Sequence, residues 1–308
     1  MDNTQLRNQC TNWPDIESLH RAEFIYLTNA TSNTYVQDIT FRSGHKLGDG
    51  RCAALEDYGN KNIFKNFRMW GTQDTYYSRN GRLYFETSAL HGSVDYLCGG
   101  GDVVYNQCDL VIERDGSVLC APAQARKYGY VFLDCTVKTA NPSQYKNYNL
   151  GRPWGEGTPA AIFINTTMNI VASADGWEEM SGGYPLRFAE YGTKTAAGTL
   201  IDLSHRKSVF GDGHYNNPIL SADETKQYTV TNVLGGDDDW NPQYYTEQAP
   251  VPTNVEINGN TLSWDNSDYV FCWAVCKDGY VVDFTTTPTY TIDVPNRCRW
   301  SVRAANEM

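Results

Sequence analysis

The sequence predicts an all-β chain, a parallel β-solenoid followed by a small antiparallel β-sandwich. Three observations carry this prediction. A short apolar phrase recurs six times, ending at Ile39, Phe67, Ser88, Cys108, Cys135 and Thr166, so the steps are 28, 21, 20, 27 and 31 residues. No apolar pattern of helical period interrupts the series. After a proline-containing stretch, QAPVPT (248–253), the pattern changes to short alternating strands with hairpin-type turns.

In the first part, the phrases (YVQDI, IFKNF, YFETS, VYNQC, VFLDC and IFINT) are rich in β-branched and aromatic residues and separated by Gly, Asn, Asp and Pro. A strand recurring every 20 to 30 residues, with loops of variable length, marks stacked coils whose equivalent positions form ladders. Two-residue hairpin turns are mostly missing, which disfavours a sandwich or barrel here. Residues 176–245 are rich in Gly, Asp and Tyr and read as loops and a segment closing the last coils. Beyond the linker, runs around 255–257, 261–264, 271–275, 280–284, 290–292 and 300–303 alternate, with turns at Asn258-Gly259 and Asp278-Gly279. They read as a sandwich of immunoglobulin or fibronectin III type, its final strand incomplete. The expected domains are 1–247 and 248–308.

Composition narrows the function. The 308 residues carry a net charge of −11 and a pI near 4.9, with 41% apolar residues. An acidic surface excludes nucleic acid as a partner, and no apolar run is long enough to span a membrane. The first residues, MDNTQLRNQC, lack a basic-then-apolar leader pattern. Nine cysteines without a CxxC pair, and five scattered histidines, give no metal-ligand spacing and read as buried free thiols. Cys108 and Cys135 would stack as small inward residues.

The chemistry lies in two phrases, GTQDTYY (71–77) and GSVDYL (92–97). Asp74 follows Phe67 by seven residues and Asp95 follows Ser88 by seven, so the two lie 21 residues apart, as do Phe67 and Ser88. On a solenoid they therefore occupy one ladder position on adjacent coils, with backbones about 4.8 Å apart. Two carboxylates this close do not both ionise cheaply; one holds its proton as a general acid beside an ionised nucleophile or base. Such a dyad serves glycoside or ester hydrolysis equally well.

GTQDTYY, GRLYFE (81–86), HGSVDYLCGGGDVVYNQC (91–108) and LGRPW (150–154), in this order and spacing, resemble the ordered motifs of the pectinesterases (pectin methylesterases, carbohydrate esterase family 8), and Gly176-Trp177 resembles a further element. The resemblance covers roughly residues 20 to 245. It implies a right-handed parallel β-helix, no cofactor and no metal, and hydrolysis of methyl esters of pectin with release of methanol. Position by position it implies Asp95 as nucleophile, Asp74 as acid/base, Gln73 as an oxyanion donor and Arg152 as the arginine orienting the nucleophile. Trp154 and Trp177 would line the sugar site.

The chain departs from the family pattern in places. Arg51, in RCAAL (51–55), stands where the family often has glutamine, and would contact substrate or oxyanion. Leu97-Cys98 stands where the family usually has an aromatic after the DF pair, and Gly99 to Gly101 form a triple glycine. Coils that usually precede the segment matching Ala22 to Gly44 are missing from the pattern. The implied partner is a pectic polysaccharide, acted on by a monomer that is secreted or periplasmic. Two other readings are a non-catalytic pectin-binding scaffold and a glycosidase or lyase; the calcium cluster or basic catalytic residue of a lyase has no counterpart in the sequence.

Overall fold

The six recurring phrases lie side by side in one parallel sheet. Tyr35 pairs with Ile63, Ile63 with Tyr84, Tyr84 with Val104, Val104 with Val131, and Val131 with Ile162. The computed structural model describes residues 25–44, 51, 53–293 and 298–305, and divides into two compact units, one up to Trp240 and one from Asn241. The sequence reading drew its boundary at 247/248.

Three parallel sheets run along the first unit, and successive coils contribute to each in turn. The first sheet holds Ile25–Leu27, Leu55–Asp57, Tyr76–Ser78, Val94–Gly99, Ser117–Pro122 and Tyr148–Gly151. The second, carrying the recurring phrases, runs from Tyr35–Gln37 to Arg187–Tyr191 in seven strands, and the third from Thr40–Arg42 to Lys194–Thr195, also in seven. This is a parallel β-helix. Between the second and third sheets each coil turns through one left-handed residue: Asp38, Asn66, Thr87, Gln107, Asp134 and Asn165, with φ from 45° to 58°. Asn and Asp tolerate that conformation best, which is why the fourth residue of each phrase is polar.

Inward positions of the second sheet form an aromatic column. Phe64, Phe85, Tyr105, Phe132 and Phe163 stack face to face with centroid separations of 4.5, 5.2, 4.7 and 4.1 Å. Each such pair adds about 0.5–1.5 kcal/mol beyond the area it buries. Cys108 and Cys135 are stacked and buried beside this column, as expected of small inward residues. Among the described cysteines all are free, but Cys272 and Cys298 are only half-buried, so the expectation of buried thiols does not extend to them. Cys10 and Cys52 lie outside the described residues.

The segment after Trp177 is more ordered than loops alone. Arg187–Tyr191 and Lys194–Thr195 complete a further coil, and the loop that follows is pinned by a buried ion pair, Arg206 Nε to Glu190 Oε1 at 2.6 Å. Three short helices, α1 (Ala222–Thr225), α2 (Val230–Leu234) and α3 (Gln243–Thr246), come next. α2 packs on strand Asp102–Asn106, and Arg82 holds the residues after it by a fork to Asp238 and by donation to the Leu234 and Gly235 carbonyls.

The second unit contains two antiparallel three-stranded sheets. One orders Glu256–Asn258, Thr261–Ser263 and Thr289–Thr291; the other orders Tyr280–Thr285, Cys272–Lys277 and Trp300–Ala305. The second sheet's hairpin turns at Asp278 and Gly279, both left-handed (φ 52° and 89°), the geometry a two-residue Asp-Gly turn adopts. Leu262, Trp264, Trp273, Val275, Ile292 and Val302 make its core.

Candidate active site

The first sheet builds the site. Strand Val94–Gly99 pairs with Tyr76–Ser78 so that Leu97 faces Tyr76, a register that sets Asp95 opposite Asp74 just where both strands begin. The Asp74 amide donates to the Val94 carbonyl at 3.0 Å. Both aspartates are left-handed, φ 55° and 50°, and this rotation takes each side chain out of strict strand alternation. A glycine precedes each by three residues for a steric reason. A Cβ on Gly71 would sit 2.5 Å from Thr75 Oγ1, and one on Gly92 2.1 Å from Tyr96 Cβ.

Both carboxylates are buried, 7% exposed at Asp74 and 3% at Asp95, but their partners differ. Arg152 grips Asp95 with a fork, Nε to Oδ1 at 2.8 Å and Nη2 to Oδ2 at 2.5 Å. The arginine leaves the end of strand Tyr148–Gly151, two strands away, and its amide donates to Cys120 O on the strand between. The two parallel charge-assisted hydrogen bonds fix the plane of the Asp95 carboxyl group. Asp74 has weaker company. Burial first, and the neighbouring Asp95 second, push its pKa up to about 7, against the opposing effects of Arg51, Arg152 and a hydrogen bond from Gln73. Arg51 Nε lies 3.5 Å from Asp74 Oδ2, and its backbone bridges in parallel to Gln73. The structure thus brings Arg51, Gln73, Asp74, Asp95 and Arg152 together: a carboxyl group with a raised pKa next to a carboxyl group fixed in place by an arginine fork.

Trp154 follows Arg152 outward. It is half-buried and packs on Tyr77, ring centroids 5.8 Å apart, over Cys98 and Ala121. Tyr76 points into the core while Tyr77 joins this outer cluster, the ordinary alternation of a strand. Arg79 lies over the Tyr77 ring at 4.6 Å.

Trp177 goes elsewhere. Its ring is 1% exposed and sits in the core against Phe163 and Phe188, centroids 5.9 and 4.7 Å away. No face is open to a sugar, so the motif match at Gly176-Trp177 marks a packing position. The next residue does reach the site, and sequence reasoning missed it. Glu178 Oε2 stands 3.7 Å from Arg152 Nη1, the guanidinium nitrogen that Asp95 does not use. Its place directly after the Gly176-Trp177 motif was the available signal.

Fold and site together define a parallel β-helix protein of the aspartate-dyad class. The model of the pectinesterase family matches residues 16–237, and the chain belongs to that family. Among Arabidopsis thaliana relatives, putative pectinesterase 11 is 27% identical over 84% of this chain and 70% of its own length. Probable pectinesterase/pectinesterase inhibitor 64 is 27% identical over 51% of this chain. The chain spans 29%, 37% and 55% of the lengths of the relatives numbered 64, 20 and 14. Pectin methylesterase from carrot shares the fold with a TM-score of 0.60 at 20% identity, over 70% of this chain and 69% of that one. Pectin methylesterase PemA from Erwinia chrysanthemi does so with a TM-score of 0.56 at 24%, over 71% and 73%.

Proposed function

We propose that the chain hydrolyses the methyl esters of pectin, releasing methanol. The observation that carries this reading is the division of labour in the dyad: Asp95 is gripped in a two-point fork by Arg152, while Asp74 one strand away retains its proton to about pH 7. Asp95 attacks the ester carbonyl, and charge gathers on the carbonyl oxygen, where the Gln73 amide and the Arg51 guanidinium are the available donors. The tetrahedral adduct collapses with cleavage of the C–OMe bond. Asp74 gives its proton to the departing oxygen, leaving methanol and an anhydride joining Asp95 to the galacturonate acyl group. Asp74, now ionised, takes a proton from water, whose oxygen attacks the acyl carbon. The galacturonate carboxyl leaves and Asp95 is regenerated. The cycle calls on no cofactor.

Trp154, with Tyr77, offers an aromatic wall for the sugar faces. Family membership supports a pectic chain as substrate, since two pectin methylesterase structures of this fold are complexes with hexasaccharides. A partly esterified chain carries less negative charge, which suits a protein of net charge −11. We read the protein as a secreted or periplasmic monomer on the same family grounds; among the described residues no helix is long and apolar enough to cross a membrane. We read the second unit as a spacer of fibronectin III or immunoglobulin type. Its first, second and fifth strands share one sheet and its third, fourth and sixth the other, which supports that class.

Methanol release from esterified pectin, with Asp95→Asn as the control, tests the proposal. Release by the wild type and its loss in the variant is the expected result. Binding to pectin without methanol would move the chain to the class of non-catalytic scaffolds, and shortened oligosaccharides would point to chain cleavage.

A further inference from the structure

We infer that Glu178 is the positioning residue of this site, holding the Arg152 guanidinium square to Asp95 and sharing its positive charge. The inference rests on the ester-hydrolysing reading and adds to it a residue outside the expected set. Arg152 uses Nε and Nη2 on Asp95 and turns Nη1 toward Glu178 Oε2 at 3.7 Å. The guanidinium is therefore hydrogen-bonded to Asp95 through two nitrogens and lies within ion-pair distance of Glu178 through the third.

Glu178 is itself anchored from behind. Its amide donates to the Gly151 carbonyl at 2.9 Å, next to Arg152 in the chain. Its Oε1 accepts from Asn149 Nδ2 at 2.5 Å, and Asn149 Oδ1 accepts from the Ser173 hydroxyl. The Ser173 carbonyl then accepts from Arg206 Nη1 at 2.7 Å, and Arg206 is locked in its buried pair with Glu190. A continuous polar chain thus runs from the nucleophile to a buried ion pair at the end of the helix. The charged groups facing Arg152 are Asp95, Glu178 and, from the preceding coil, Asp74, which is paired in turn with Arg51.

This arrangement has two effects. The attraction of Glu178 for Nη1 draws the guanidinium toward the orientation that meets Asp95, and reacting groups lose rate steeply when misaligned. A cation divided between two anions also neutralises each only in part, so Asp95 stays the stronger nucleophile and Asp74 the more ready to keep its proton.

Glu178→Gln keeps the shape and can still accept from Asn149, but removes the charge. In this variant kcat should fall about tenfold with KM unchanged, the signature of an interaction that matters in the transition state. The alkaline limb of the pH–rate profile, set by Asp74, should move to lower pH. The melting temperature should stay at the wild-type value, and Glu178→Asp should restore the limb and part of kcat. Wild-type kcat and an unmoved limb in Glu178→Gln would overturn the inference. So would a loss of rate that tracks a lower melting temperature with the limb in place, since that is a structural role only. If the wild type releases no methanol, the ester reading fails by itself. Charge sharing is then decided by the 13C-carboxyl titration of Asp74, assigned with Asp74→Asn: a curve moved to lower pH in Glu178→Gln supports it, and coincident curves overturn it.

Discussion

Asp74 and Asp95 occupy one register position on neighbouring strands, and both reach it through left-handed backbone, φ 55° and 50°. An L-residue in that conformation costs energy, least of all for Asp and Asn. The pair is held there by the strand register on one side and the tightly filled glycine turns on the other. Burial, and after it the neighbouring Asp95, push the Asp74 pKa up to about 7, and that rise sets the pH behaviour expected of the proposed reaction.

Activity should fall as pH rises through about 7, because Asp74 must be protonated to release methanol and its pKa is pushed up to about 7. A pH series of kcat/KM on esterified pectin checks this. Asp74→Asn should lose the proton donor and with it most of the rate, on the order of 10²–10⁴-fold, the usual share of general acid catalysis.

The same raised pKa makes Asp74 a stability liability. A carboxyl that holds its proton more tightly folded than unfolded contributes stability below its unfolded pKa of about 3.9, and that contribution is lost as pH rises through the folded value. Asp57 behaves likewise, with burial pushing it up to about 6 despite hydrogen bonds from Gly59, Asn62 and Tyr76. Melting temperature should therefore decline between about pH 4 and 7. At pH 8 Asp74→Asn should melt higher than the wild type while remaining inactive, a result that scanning calorimetry reads directly.

Arg152→Lys should retain a positive charge and lose the fork. One ammonium cannot satisfy both Asp95 oxygens in plane and face Glu178 as well. Methanol release should drop by about 10–100-fold, in keeping with a misplaced reacting group, with little change in melting temperature. A drop confined to KM would instead place Arg152 in substrate binding.

Stability away from the site should depend on the aromatic column. Phe132 is fully buried between Tyr105 and Phe163, at 4.7 and 4.1 Å. Phe132→Ala should cost about 3–5 kcal/mol, measured by chemical denaturation of the same chain.

The column itself was legible because apolar phrases in parallel coils repeat with their strands, and six of seven strands in the second sheet announced themselves. The seventh, Arg187–Tyr191, did not. Its buried Glu190 is paired with Arg206 from a later loop, so a charge stands where the pattern required an apolar residue. At the site, equal offsets placed Asp74 beside Asp95 without further knowledge. Trp177 and Glu178 were misjudged together for one reason. The two point to opposite sides of the backbone, and a motif gives the parity of neither. Which residue faces the core was settled by space next to Phe163 and Phe188, a property of coils distant in sequence.

Asp95 and Arg152 are separated by one complete coil whose strand, Ser117–Pro122, lies between theirs and offers no charge of its own at that level. Two strand spacings amount to about 9.6 Å, close to the reach of an extended arginine. The intervening coil therefore works as a ruler. Its loops can lengthen freely, since additions there bulge outward, but losing the coil would bring the guanidinium past its target, and gaining one would leave it short. The family resemblance at LGRPW depends on that count of strands as much as on the arginine.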